Sequence, residues 1–238
     1  MIDIFEEYWM QYLGIGQGNI SGAVMTLWLL VLSFSIGLAA SIPLAILRTC
    51  RHAWLRNLTW VYTYVVRGTP LYVQLLIIYT GIFGLEFVRG TPLLANFFRS
   101  GFNCAVLAFC INECAYVTEI LAGAIRALPY GESEAARAFG FSRWHTYTKI
   151  ILPAAMKRAL PYYSNEIILL LHSTSIAFTA TVPEILKVAR DVNSATYAPF
   201  SAFGIAALIY ALIAFTLVAG FRHLERRCLA FIPPGSIS

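Results

Sequence analysis

Charged side chains are scarce in this chain of 238 residues. Only 12% of the residues are Asp, Glu, Lys or Arg, whereas 59% are hydrophobic. Soluble proteins average about 25% and 45–50%. The mean hydropathy is +0.70. A water-facing surface cannot be built from this mixture, so the composition excludes a soluble globular protein and indicates a polytopic membrane protein.

Further absences narrow the class of protein. The first residues include Asp3, Glu6 and Glu7 and no basic residue, so we expect no cleavable secretory signal. The five cysteines have neither disulfide nor zinc-site spacing and are expected to be small packing residues. No Gly-Lys pair occurs, so the chain lacks the phosphate cradle of P-loop ATPases. The net charge of +5 need not indicate a nucleic-acid partner, and we expect none, because membrane proteins collect basic residues on their cytoplasmic side.

Long uncharged runs predict where the chain crosses the bilayer. A spanning helix needs about 20 mostly apolar residues, and no charged residue occurs between Tyr8 and Leu47. The pattern predicts an all-α fold with five transmembrane helices in a single transmembrane domain over residues 1–238. The predicted spans are approximately residues 23–47, 58–83, 100–125, 159–181 and 200–221.

The distribution of basic residues predicts the orientation of these spans. Twelve Lys and Arg residues lie after the first, third and fifth spans, with Arg67 near the same boundary, and four lie on the opposite side. Basic loops stay in the cytoplasm. We therefore expect a periplasmic N-terminus and a cytoplasmic C-terminus, which an odd number of spans requires.

The longest polar segment, residues 126–158, is expected in the cytoplasm and is divided by proline and glycine. Good helix formers begin at Glu132, with acidic residues in the first turn, and Gly140 is placed to end that helix. A second short helix is predicted over residues 142–151, ending before Pro153. By itself, this pattern also fits two helices lying on the membrane surface.

A spaced motif lies within this segment. It reads Glu134-Ala135-Ala136, three residues, Gly140, nine residues, then Ile150-x-Leu152-Pro153. This resembles the signature of the inner-membrane permease subunits of bacterial ABC importers, at every fixed position. The resemblance implies a type I ABC importer permease fold in which the short helix docks in a cleft of a separate ATPase. Small Ala and Gly allow close approach, and Glu134 and Arg137 can make polar contacts.

A second resemblance narrows the family. The stretch Arg67-Gly-Thr-Pro70 and the segments Ala115-Tyr-Val-Thr-Glu119 and Gly123-Ala-Ile125 look like those of polar amino acid permeases. Residues 171–183 and 193–197 are similar to M-type membrane subunits of importers for histidine and for lysine, arginine and ornithine. Many relatives carry Arg where this chain has Ala122, which puts a substrate-carboxylate contact from this half in doubt.

The resemblance also implies partners and a mechanism. We expect a homologous Q-type permease half, two copies of an ABC ATPase and a periplasmic amino-acid-binding protein, all at the bacterial inner membrane. ATP and Mg would be used by the ATPase, and this chain would bind no cofactor. The implied activity is alternating-access transport of histidine or other basic amino acids, with no covalent chemistry in this chain.

Ionisable residues inside predicted spans are candidates for substrate contact, because charges in a bilayer are costly. Glu166 is the strongest, since a carboxylate there can receive a cationic group of a basic amino acid. Glu119 can instead form a structural pair with Arg126 or Arg67. Glu113 is not part of the recognised family pattern, so its role stays open. Further polar candidates for the substrate path are Asn165, Ser173 and Thr179.

Two other classes of protein stay open at this point. A passive channel would share the spans but not the ATP requirement. An intramembrane hydrolase is suggested by His172 beside Ser173 and Ser175. A nucleophilic serine needs a positioned base, however, and adjacent helical residues point about 100° apart.

Overall fold

The computed structural model describes residues 1–14 and 20–229, and within these ranges the chain forms α-helices, short π and 3₁₀ segments, and no β-strand. A π segment covers Ile77–Ile82 and another Tyr147–Ile151, and a 3₁₀ segment covers Thr174–Ala180. The α-helices are, in chain order, α1 (Ile2–Leu13), α2 (Gly22–Thr49), α3 (Ala53–Gly68), α4 (Leu71–Leu76), α5 (Glu86–Gly90), α6 (Pro92–Arg99), α7 (Gly101–Arg126), α8 (Tyr130–Ala138), α9 (Arg143–Thr146), α10 (Leu152–Ser173), α11 (Ile185–Thr196) and α12 (Pro199–Cys228).

Three helices of the described chain are long and apolar enough to cross a membrane: α2, α7 and α12. They cover the predicted first, third and fifth spans. A bent pair, α3 with residues 71–82, also qualifies when taken together. Helix α10 carries Lys157, Arg158 and Glu166 and is not among them. Five spans therefore remain a prediction, with α10 as the additional crossing.

The predicted second span, residues 58–83, is not one continuous helix. Helix α3 ends at Gly68, and the chain turns by 99° before it continues through residues 71–82. Pro70 explains the break, because its ring disfavours the helical conformation at Thr69, whose φ and ψ are −111° and 142°. The Gln74 amide holds the corner by donating hydrogen bonds to the Val66 carbonyl at 2.7 Å and to the Thr69 hydroxyl at 2.8 Å.

Segment 126–158 contains two short helices, α8 and α9. Gly140 follows α8 with φ +77°, as expected for a residue that ends a helix. The prediction that the second helix ends before Pro153 is wrong, because α9 passes through the π segment directly into α10. Pro153 lies just after the π segment, whose wider turn accommodates the proline within the continuous helical connection.

Helix α7 is the centre of the packing, and its most extensive partner is α2. Its buried face is built largely from small residues, which let neighbouring membrane helices approach closely. Cys104, Cys110 and Cys114 are buried on it without a disulfide, in agreement with the expected packing role. Gly37 on α2 is needed at this contact, since a Cβ there would lie 2.9 Å from Cβ and Cγ of Glu113.

A second contact between distant parts of the chain is centred on Glu184 and connects the start of α2 to the residues that precede α11. The Glu184 carboxylate is fully buried and accepts hydrogen bonds from the Leu186 and Lys187 amides at 2.6 and 2.7 Å, which caps α11. It also accepts one from the Tyr210 hydroxyl of α12 at 2.9 Å. Gly22 donates to the Pro183 carbonyl with φ +53°, where a Cβ would clash with the Tyr12 carbonyl oxygen.

Candidate functional site

A pocket of about 620 Å³ opens at the corner between α3 and α4 and is walled by α7 and α10. Its size is typical of small-molecule sites, which measure about 300–1,000 Å³. Apolar residues form part of the wall. The polar and charged side chains that line it include Arg67, Asn112, Glu113, Glu166, His172 and Ser173.

Helix geometry brings these side chains together. Glu166 and Ser173 lie seven residues apart on α10, two turns along the same face. Glu113 and Tyr116 are three apart on α7 and likewise share a face. Arg67 is in the last turn of α3, where the break at Thr69 leaves it at the pocket edge. Its guanidinium lies 4.9 Å from the centre of the Tyr116 ring, a cation–π contact that orients it.

Two acids and one base therefore face the same space. Both acidic residues are buried: Glu113 is 1% exposed and Glu166 is 8% exposed. Both acids line the same pocket as the Arg67 guanidinium. Among the described residues, Glu113 Oε1 has no hydrogen-bond partner. The pocket therefore brings two acidic groups and one guanidinium together, and one buried acceptor at its wall has no partner in the described part of the chain.

The structure separates the residues that the sequence suggested for the substrate path. Glu166 and Ser173 line the pocket. Asn165 is exposed on the outer side of α10, and the Thr179 hydroxyl donates to the Ile176 carbonyl at 2.8 Å. Glu119 also lies outside the pocket: it accepts hydrogen bonds from Arg48 Nε at 2.6 Å and Thr63 Oγ1 at 2.7 Å. Its partner is thus Arg48, not Arg126 or Arg67.

Sequence reasoning left out several pocket residues. The sequence marks Arg67 as part of a family segment and as a possible partner of Glu119, and His172 as the base of a possible hydrolase, but neither as a pocket residue; it does not single out Asn112. The sequence does mark Glu113, because an ionisable residue inside an apolar span is unusual. It does not show which residues lie near Glu113, so it gives Glu113 no role. Since Arg67 belongs to a different helix, only the fold brings it to Glu113 and Glu166.

The two serines near His172 are not arranged as the nucleophile of a hydrolase. The Ser173 hydroxyl donates to the Leu169 carbonyl at 2.9 Å, and the Ser175 hydroxyl donates to the His172 carbonyl at 2.7 Å. Both hydroxyls are thus occupied by backbone acceptors, and neither is bonded to an imidazole that can act as a base.

The spaced motif of segment 126–158 presents a largely exposed surface. Ala136 is buried against the protein, whereas Glu134, Ala135, Arg137 and Gly140 are exposed. Ile150 and Leu152 are half-buried and Pro153 is exposed at the junction with α10. Large aromatic side chains also project from this segment: Tyr130 is 86% exposed, Phe139 83% and Trp144 71%. Exposed aromatic residues of this size are typical of a protein-binding surface.

The fold and pocket define a membrane transport subunit. Residues 36–229 match the family of binding-protein-dependent transport system inner membrane components, and the chain belongs to this family. It is a permease subunit of an ABC transporter in the inner membrane, and it is not an enzyme. The family resemblance drawn from the motifs is confirmed.

Individual relatives agree with this family. The histidine/lysine/arginine/ornithine transport system permease protein HisM of Escherichia coli is 54% identical over 99% of each chain. The nopaline transport system permease protein NocM of Agrobacterium fabrum is 38% identical over 81% of this chain and 80% of its own. A crystal structure of an amino acid ABC transporter with histidines superposes with a TM-score of 0.78 and 30% identity, covering 95% of this chain and 97% of that one.

Proposed function

We propose that this chain is the M-type permease half of an ATP-driven importer for histidine and basic amino acids (lysine, arginine and ornithine). The observation that carries the proposal is the pocket beside the broken helix, where the carboxylates of Glu113 and Glu166 face one guanidinium, that of Arg67. Excess negative charge favours a cationic substrate. The identity of 54% to a permease of a histidine/lysine/arginine/ornithine transport system supports the same substrate class.

In this proposal Glu166 is the principal substrate contact. It lies on α10 with little exposure, so a charged hydrogen bond to it is only weakly screened. Ser173 on α10 and Asn112 on α7 also line the pocket and add neutral donors and acceptors that orient the substrate. Asn165, Thr179 and Glu119 do not reach this space and have other surroundings, as described above.

The coupling surface is proposed to be the exposed side of α8 and α9. Glu134, Ala135, Ala136, Arg137 and Gly140 would dock in a cleft of a partner ATPase, which uses ATP and Mg. The small residues allow close approach, and the exposed Phe139 and Trp144 supply apolar anchors. Ile150, Leu152 and Pro153 then form the start of the helical connection that leads to Glu166.

The complete transporter is proposed to contain a homologous Q-type permease subunit, two copies of the ATPase and a periplasmic amino-acid-binding protein. The basic segment 126–158 would face the cytoplasm and the N-terminus the periplasm. Closure of the ATPase dimer on ATP would displace α8 and open the pocket outward, and hydrolysis would return it. The broken helix at Thr69 and Pro70 offers a corner at which the spans can bend.

The experiment is uptake by the complete complex reconstituted in proteoliposomes. Glu166→Gln should abolish uptake of radiolabelled lysine and arginine while subunit assembly, measured by size-exclusion chromatography, is retained. Glu86→Gln is the control, because Glu86 is exposed in α5 and outside the pocket. Unchanged uptake by Glu166→Gln contradicts the proposal.

A passive channel is distinguished in the same preparation. Uptake should stop when ATP is omitted or replaced by a non-hydrolysable analogue inside the vesicles. Equal uptake with and without ATP would identify a channel instead.

A further inference from the structure

Glu113 is a pocket residue that the family motifs do not include. It lies on α7 with 1% exposure, so almost none of its side chain contacts solvent. Its Oε1 atom has no hydrogen-bond partner in the described part of the chain, yet the side chain lines the pocket. A buried acceptor without a partner is destabilising, and a ligand cation can relieve that cost.

The charges around the pocket mirror those of one class of ligand. Glu113 and Glu166 can carry two negative charges, and Arg67 carries one positive charge. A basic amino acid has two cationic groups, the α-ammonium and the side-chain cation, and one α-carboxylate. Each charge of the pocket thus has one counterpart on the ligand.

The placement of Arg67 decides which acid serves which end of the ligand. Its guanidinium lies 4.9 Å from the centre of the Tyr116 ring and lines the pocket together with Glu166. Opposite charges that lie near each other suit the α-ammonium and α-carboxylate, which are attached to the same carbon. Glu113 is the more deeply buried acid, and it is the one left for a cation at the far end of an extended side chain.

We propose that Glu113 determines side-chain specificity by binding the terminal cation of a basic amino acid, while Glu166 and Arg67 bind its α-ammonium and α-carboxylate. This inference rests on the proposed function, because it assigns the substrate contacts of the same pocket. It differs in giving the selection between cationic and neutral side chains to a residue outside the family motifs. Glu166 then binds the α-ammonium group that all amino acids share, and does not distinguish between side chains.

Gly37 makes this position of Glu113 possible. A Cβ at residue 37 would lie 2.9 Å from both Cβ and Cγ of Glu113. Without a side chain there, α2 lies directly against the stem of Glu113 and excludes water from behind it. The carboxylate is therefore backed by protein on the α2 side, and its buried Oε1 atom has no partner among the described residues at the wall of the pocket.

The test is ligand binding to the detergent-purified complete complex without its binding protein, so that the selectivity of the delivering protein does not contribute. Arginine and citrulline are compared by isothermal titration calorimetry, because citrulline has nearly the same shape but a neutral side chain. Glu113→Gln should weaken arginine binding by about 10–100-fold, as expected for loss of one charged hydrogen bond. Citrulline binding should change less than about threefold.

Glu166→Gln is the matched comparison on the facing helix. It should weaken arginine and citrulline alike, since both ligands have the same α-ammonium. An equal loss of both ligands in Glu113→Gln, or no loss of either, overturns the assignment of Glu113. If the unsubstituted complex does not bind arginine, the proposed function itself fails, so the two failures are distinguishable.

A second variant keeps the test decisive if Glu113→Gln does not assemble. Glu113→Asp retains the charge but withdraws the carboxylate by one methylene group. The longer arginine should then lose less affinity than the shorter ornithine, and the ratio of their dissociation constants should widen by about threefold or more. An unchanged ratio contradicts contact between residue 113 and the side-chain end.

Discussion

The Nε atom of Arg48 donates a hydrogen bond to Oε1 of Glu119 across 2.6 Å, which joins the end of α2 to α7. Both side chains are mostly buried, and Thr63 of α3 donates to the same oxygen at 2.7 Å. Three helices thus meet at one carboxylate. The arrangement gives Glu119 a structural role that is spatially separate from the pocket.

The Arg48–Glu119 pair should therefore influence stability without changing substrate affinity. Glu119→Gln leaves the Arg48 guanidinium without its counter-charge and should lower the free energy of unfolding by about 1–3 kcal/mol. The measurement is thermal unfolding of the detergent-purified complex, followed by arginine titration of the fraction that remains folded. Arg48→Gln is the matched control and should give a similar loss, whereas a large change in arginine affinity would assign Glu119 to the substrate site.

Gly37→Ala should destabilise the contact between α2 and α7. The added Cβ would lie 2.9 Å from two atoms of Glu113, so the helices must separate, at a cost of about 1–3 kcal/mol. Gly220→Ala on α12 is the control, because a Cβ there meets nothing within 4 Å. The thermal midpoints of the two variants in detergent provide the comparison, and equal midpoints would argue against close packing at Gly37.

The buried carboxyl group of Glu184 should make the stability of the protein depend on pH. Burial raises the pKa of Glu184 to about 7, although the Leu186 and Lys187 amides, the Tyr210 hydroxyl and the charge of Lys187 act in the opposite direction. A carboxyl whose pKa is raised by folding binds its proton more tightly in the folded state. Its contribution to stability is complete below the unfolded pKa and is lost as the pH rises through about 7.

The corresponding measurement is the thermal midpoint of the complex between pH 5 and pH 8. The unsubstituted protein should lose stability over this range, and Glu184→Gln, which cannot ionise, should show a flatter profile. Parallel profiles for the two proteins would show that Glu184 does not contribute to the pH dependence.

Phe139 should be an anchor for the partner ATPase. It directly follows α8 and is 83% exposed, so its ring has no packing role within this chain. Phe139→Ala should reduce co-purification of the ATPase with the affinity-tagged chain by about tenfold or more. Phe87→Ala removes a ring that is 75% exposed and belongs to α5, away from segment 126–158, and should leave co-purification unchanged.

The apolar spans were the most predictable part of the fold. Helices α2, α7 and α12 follow from uncharged runs, because membrane insertion depends mainly on length and hydrophobicity. The 99° corner was less predictable. Pro70 marks where helix α3 must end, but the size of the turn depends on the hydrogen bonds of Gln74, which hold both sides of it.

The site was predictable only in part, for a similar reason. Glu166 could be selected as a buried charge, and it lines the pocket. Asn165 has the same membrane depth but faces away, because neighbouring helical residues point about 100° apart. The partner of Glu119 depends on how α2 and α7 align, and the meeting of Arg67 with Glu113 depends on the corner after α3. Such contacts are set by tertiary packing and not by local sequence.

The uninterrupted helical connection from Arg143 through the π segment to Glu166 has a mechanical consequence. It extends roughly 35 Å, at about 1.5 Å per residue, and contains no loop that can absorb a displacement. A displacement or rotation of α9 is therefore transmitted through α10 to Glu166 in the pocket. The π segment at residues 147–151 lies within this connection, so a change in its length would alter how α9 and the pocket move together.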